Sequence, residues 1–173
     1  ERLVGSEMCI RDRKYLKSFD SGNYAVDVVM NHEMAAAKEQ GVVLDTSILV
    51  PRKLPFKDED LCSLLSNLLD NAMEAASQAG VAEPTVNISI IPRQEYLFIR
   101  VTNPVDKTLP EKRRMTLETT KTNHTELHGY GTRIIRRIAE SYNGSVKYSM
   151  SGGIFTTDVM LEMPEEKSVE EEA

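Results

Sequence analysis

The 173-residue chain contains no tryptophan, aromatic residues make up 6% of it, and it has two cysteines. Cys9 and Cys62 are too few and too far apart for a disulfide framework or a zinc site, which fits a reducing compartment. No run of about 18 apolar residues occurs, and no apolar segment precedes a small-residue cleavage site, so neither a membrane-spanning helix nor a secretory leader is expected. Positive charge is not in excess: 21 Lys and Arg face 27 Asp and Glu, for a net charge of -6, which argues against a nucleic-acid partner. A hydrophobic fraction of 40% excludes full disorder and suffices for one core of ordinary size. The expectation is a soluble, cytoplasmic domain.

The charge is unevenly spread. From residue 162 onward, six Glu stand against Lys167, so most of the acidity belongs to the C-terminal tail. Between Lys107 and Arg137 the balance reverses, with eight basic residues against Glu111, Glu118 and Glu126. A local basic region without interleaved aromatics suits a small polyanion better than a nucleic-acid groove, although a solvated loop and helix face would look the same.

Four segments follow from the pattern. Residues 1–13 show no period and resemble translated sequencing-adapter read-through, so they are set aside as a non-native extension. Residues 14–41 hold one long helix, from Gly22 to Gln40, with Ala25, Val28, Val29, His32, Ala35 and Ala36 at helical spacing and no evident partner. Residues 42–164 carry a strand (42–50), a helix (57–79), strands 85–91 and 96–103 joined by a turn at 92–95, a long polar stretch (104–128), a helix (131–142), and two strands pivoting on Ser151, Gly152 and Gly153. Residues 165–173 read as an acidic disordered tail. This order predicts an α+β two-layer sandwich, with helices on one face of a mixed sheet.

Two segments carry chemistry. In the helix 57–79, Leu61, Leu65, Leu68, Leu69, Ala72 and Ala76 share one face, while Ser63, Asn67, Asp70, Asn71, Glu74 and Gln78 share the other. Asparagine is a poor helix former, so two of them one turn apart at the centre of a polar stripe imply work for their amides, on a hydrated cation or a phosphate. The bland alternative is that they satisfy neighbouring loop backbone. The second segment, HGYGTRII at 128–135, places Gly129 and Gly131 immediately before a helix, where free N-H groups and the positive dipole end make an anion site. An ordinary loop-to-helix turn is the alternative there.

NLLDNAMEAA (67–76) resembles the N box, and HGYGTRII the second glycine box, of the Bergerat-fold or GHKL ATP-binding domains. These occur in sensor histidine kinases, type II topoisomerases, certain heat-shock chaperones and mismatch-repair proteins. Asn67 matches the histidine-kinase form, where the ATPases place a Glu that activates water. With NHEMAAAKEQGV and TTK, the pattern is most similar to the peptide quorum-sensing kinases of the accessory gene regulator type, over residues 20–164.

The resemblance implies a Bergerat fold binding ATP and Mg²⁺, with Asn71 holding the metal and Asn67 at the triphosphate. Gly129, Tyr130, Gly131 and Thr132 would present backbone N-H groups to the phosphates, with Lys121 and His128 in a lid near them. It implies as partners a phosphoacceptor histidine domain of the same parent, a response regulator, and a second copy in a membrane-anchored homodimeric parent. There are departures. The first glycine box, normally DxGxG, stands here as NPVDK (103–107), leaving Asn103 to accept from the adenine amino group. Thr132 replaces a Leu, and Glu74 stands where many of these kinases have Lys. His32 followed by Glu33 looks like a phosphoacceptor pair. Its helix runs into Gly41 and a strand, however, so it reads as the second helix of the dimerisation hairpin, with the acceptor helix missing upstream. A non-catalytic nucleotide-binding or dimerisation module and an anti-sigma-type serine kinase are the alternatives.

Overall fold

The computed structural model describes residues 18–108 and 128–164. Residues 1–13, expected to be a non-native extension, the acidic tail, most of the polar stretch and Lys121 therefore lie outside the described residues. Among the described residues, three helices and five strands follow in the order α1 (Tyr24–Glu39), β1 (Val43–Ile48), α2 (Asp58–Ser77), β2 (Thr85–Arg93), β3 (Tyr96–Pro104), α3 (His128–Ser141), β4 (Ser145–Ser151) and β5 (Ile154–Glu162). The strands form one mixed sheet in the order β1-β2-β3-β5-β4, with β1 parallel to β2 and every other pair antiparallel. The helices pack on one face of this sheet, giving the expected α+β sandwich.

Alternation along the strands builds the core. Val86, Ile88 and Ile90 of β2, Leu97, Ile99 and Val101 of β3, and Val159 and Leu161 of β5 are buried beneath the helices. The central helix α2 meets them with Leu61, Leu64, Leu65, Leu68, Leu69, Ala72, Met73 and Ala76, a wider stripe than the sequence face predicts because α1 and α3 cover its flanks.

Helix α1 has a partner, contrary to the sequence reading: it packs along α2, and Ala25, Val26, Val29, Met30 and Ala37 enter the shared core. Its buried face is also rotated from the expected one, because Val28 and His32 are exposed while Glu33 is buried. Asn23 fixes its start, accepting from the Val26 N-H and donating to the carbonyls of Pro51 and Arg52.

The turns explain the remaining boundaries. Strand β2 continues through Pro92, whose missing N-H costs nothing because β1 pairs only as far as Ile90. The hairpin is therefore tighter than expected, with Gln94 and Glu95 between the paired Arg93 and Tyr96. At the end of α3, Asn143 takes the left-handed conformation (φ 48°), not Gly144. Gly144 is needed for another reason: a Cβ there would overlap the Met160 carbonyl. Gly152 and Gly153 form the β4–β5 turn at φ 60° and 80°.

Candidate nucleotide site at the open end of a helix pair

Helices α2 and α3 run antiparallel. At one end, the Tyr142 hydroxyl donates to Asp60 Oδ2 (2.6 Å) and accepts from the Lys57 N-H (3.1 Å), which closes an otherwise uncapped start of α2. The Tyr142 ring stacks edge-on against Phe56, with centroids 4.9 Å apart. Burial and the bond to Asp60 push the Tyr142 phenol up. At the other end, the first turn of α3 meets the asparagine face of α2. A Cβ on buried Gly131 would lie 3.0 Å from Asn67 Oδ1, a tight contact, and 3.5 Å from Asn71 Oδ1, an ordinary one, so the glycine gives the asparagine side chains room beside the α3 backbone. The structure thus brings Asn67, Asn71 and Gly131 together.

The two asparagines make few hydrogen bonds among the described residues. The Asn67 amide nitrogen donates to the Ser63 carbonyl one turn back (2.7 Å), which turns its oxygen outward toward α3. Half-buried Asn71 has no hydrogen-bond partner among the described residues. Neither amide bonds to loop backbone among the described residues, and residues 109–127 lie outside them.

Helix α3 begins at His128, three residues before the position predicted from glycine content, because packing on α2 outweighs glycine's helix cost. His128, Gly129, exposed Tyr130 and Gly131 form its first turn, where the free N-H groups are. Thr132 becomes the fifth helical residue, and α-helix geometry directs its N-H back toward the His128 carbonyl rather than out to a ligand. Asn103 sits apart at the end of β3. It is 5% exposed, and its amide nitrogen donates to the Pro104 carbonyl (3.0 Å), leaving the oxygen as its acceptor. The segment after it is tied down by the Val105 N-H donating to the Gly153 carbonyl, with the Lys107 stem over Gly153.

A second polar group flanks the asparagines and was not anticipated. Glu33 is 1% exposed between α1 and α2; one carboxylate oxygen meets His32 Nδ1 (3.1 Å) and the other has no hydrogen-bond partner among the described residues. Burial raises its pKa and the Asp70 charge adds to this, while His32 and Ser66 act the other way. Asp70, beside Asn71, is likewise raised by burial, with Glu74 adding to the effect. Sequence patterning had no way to find Glu33, because it assigns a charged residue to the solvent side. Burial also raises the Cys62 thiol, which faces the Ala25 carbonyl, so it is not poised as a nucleophile.

The pattern of the GHKL domain matches residues 56–162, which include α2, β3 and α3. This chain belongs to the GHKL domain family. It is 32% identical over 120 residues to the sensor protein kinase CarS of Pseudomonas aeruginosa, covering 67% of this chain and 25% of that protein. The chain therefore spans about a quarter of the length of that relative. Its fold is similar to a histidine kinase from Burkholderia phymatum (TM-score 0.61, 16% identity, 94% of this chain and 81% of that one). It is also similar to the catalytic domain of the histidine kinase ThkA (TM-score 0.59, 14% identity, 81% of this chain and 93% of that one). The GHKL histidine-kinase type of domain expected from the N box and second glycine box is thereby borne out, without the narrower accessory gene regulator grouping. Among the described residues, no helix is long and apolar enough to cross a membrane.

Proposed function

We propose that this GHKL domain binds ATP with Mg²⁺ at the open end of the α2–α3 pair and passes the γ-phosphoryl group to a histidine outside residues 18–164. The observation that carries this reading is the convergence of the Asn67 and Asn71 side chains with a glycine-bearing helix start. Asn71, half-buried and without a partner among the described residues, fits Mg²⁺: it offers a neutral, hard oxygen, and Mg²⁺ keeps most of its waters. Bound there, the metal would neutralise phosphate charge. Asn67 Oδ1 would orient the incoming group, and the N-H groups of Gly129, Tyr130 and Gly131 would hold phosphate oxygens. Asn103 would accept from the adenine amino group, and Lys121 and His128 would close over the phosphates. In the transfer, the bond between the γ-phosphorus and the ADP oxygen breaks, a phosphorus–nitrogen bond forms on the acceptor imidazole, and ADP leaves. Phosphoryl transfer needs little beyond such positioning and charge stabilisation.

The burial of α1 in the common core supports assigning that helix to the ATP-binding unit, with the acceptor hairpin elsewhere in the parent. His32 is then a surface histidine held by Glu33 rather than an acceptor. A homodimeric, membrane-anchored parent with this domain on the cytoplasmic side, a response regulator downstream and a quorum-sensing input complete the reading, on the strength of the resemblance. A second reading, a nucleotide-binding module without transfer, is favoured by one observation: residues 103–107 lack the glycines of the first glycine box and are pinned to the β4–β5 turn. Incubation with γ-labelled ATP, Mg²⁺ and the acceptor hairpin of the parent kinase separates the possibilities. Acid-labile, base-stable label on the hairpin is the expected result; acid-stable label would point to a hydroxyl acceptor, and nucleotide binding without any labelling would favour the module.

A further inference from the structure

The face of the sheet turned away from the helices is not uniformly polar. Ile91, Phe98 and Met160 align in one cross-strand row, and Phe98 is 40% exposed. They floor a depression of about 350 Å³ bordered by Arg93, Arg100 and Lys147. Arg100 is taken up by Asp158, through Nε to Oδ1 at 2.6 Å and Nη2 to Oδ2 at 3.0 Å. Arg93 and Lys147 have no ion-pair partner among the described residues. They stand on opposite sides of the apolar row, three strand spacings across the sheet and four residues along it, about 20 Å apart.

We propose that the acidic segment 165–173 of this same chain folds back over this face. Glu165 and Glu166 would meet Arg93, Glu170, Glu171 and Glu172 would meet Lys147, and Ser168 and Val169 would cover the apolar row. Three observations select this occupant. Its charge is complementary, with five Glu against Lys167. Its two acidic groups are spaced to match, since Glu165 and Glu171 are about 20 Å apart in extended chain. Its origin is adjacent: Glu162 pairs with Tyr96, Tyr96 pairs with Arg93, and Met163 donates to the Glu95 carbonyl. Each exposed ion pair is weak alone, but the tether holds the segment at a high effective concentration over the face. The inference rests on no part of the nucleotide reading.

The test compares ¹H–¹⁵N spectra of the full chain with two variants that leave the core untouched: Arg93→Glu with Lys147→Glu, and Gln at Glu165, Glu166, Glu170, Glu171 and Glu172. The amides of Ile91, Phe98 and Met160 are expected to shift in the same direction in both variants, and also in the wild-type chain as salt rises to about 0.5 M. Lysines at Glu170, Glu171 and Glu172 are expected to restore the wild-type positions when combined with Lys147→Glu. Strip amides unchanged by the Gln substitutions would overturn the proposal. So would shifts confined to another surface, or shifts that grow with protein concentration, which would assign the face to a second copy.

Discussion

The two ends of the α2–α3 pair are built from similar materials and finished differently. At the Tyr142 end, the phenol, the Asp60 carboxylate and the Lys57 N-H bond to one another and an aromatic pair seals them. At the Gly131 end, a Cβ would come within 3.0 Å of Asn67 Oδ1, and among the described residues Asn67 bonds only within its own helix and Asn71 has no hydrogen-bond partner. Both asparagines are only half-buried, so their free amide atoms at this end stay open to solvent and to a ligand, while the polar groups of the other end are used up on one another. On the proposed reading, the closed end would set the geometry that the open end uses.

Four substitutions test that contrast. The largest effect is expected from Asn71→Ala, which removes an amide with no hydrogen-bond partner among the described residues: affinity for the magnesium–nucleotide complex falls about 10- to 100-fold, while the urea midpoint moves little. Calorimetric titration beside a denaturation curve checks both halves. Gly131→Ala comes next. The alanine adds helix propensity, but its Cβ intrudes on Asn67 Oδ1, so binding weakens about 5- to 10-fold in a protein that is no less stable. A parallel loss of stability would show that Gly131 serves packing alone.

At the closed end the signature inverts. Tyr142→Phe removes both hydroxyl bonds and costs about 1–2 kcal/mol in urea unfolding, with nucleotide affinity nearly unchanged. The smallest effect concerns Glu33, whose pKa is raised in the folded protein above the ordinary 4.5. As pH rises from that value the unfolded chain loses its proton first, so wild-type stability falls until the folded carboxyl also ionises. Glu33→Gln removes its share of that fall, leaving the part due to Asp70, and is more stable than wild type above the window. Unfolding curves from pH 4 to 8 measure the difference; identical slopes in the two proteins would remove Glu33 from the account.

What the sequence made legible follows the same division. The inward stripe of α2, the alternation in the strands and the glycine turn of the last hairpin are local patterns, and they placed every described element to within a few residues. The asparagine pair stood out because its residue type contradicts its position on a helix. Less visible was anything set by contact between distant segments: the bond from Tyr142 to Asp60, the early start of α3 and the exact fit of Gly131 against two asparagines. Helix α1 was misjudged in its buried face for a related reason. Its alanines and valines surround the helix nearly evenly, and the residue that breaks the tie, Glu33, is a charge where none is expected.

The central claim is that the open end is a metal–nucleotide site and the closed end its support. Titration of a fluorescent ATP analogue with and without Mg²⁺, on wild type, Asn71→Ala and Tyr142→Phe, tests it most directly. The account predicts Mg²⁺-dependent binding by wild type and Tyr142→Phe, and loss of that dependence in Asn71→Ala. Binding that ignores Mg²⁺ in all three proteins, or no binding by wild type, would contradict it.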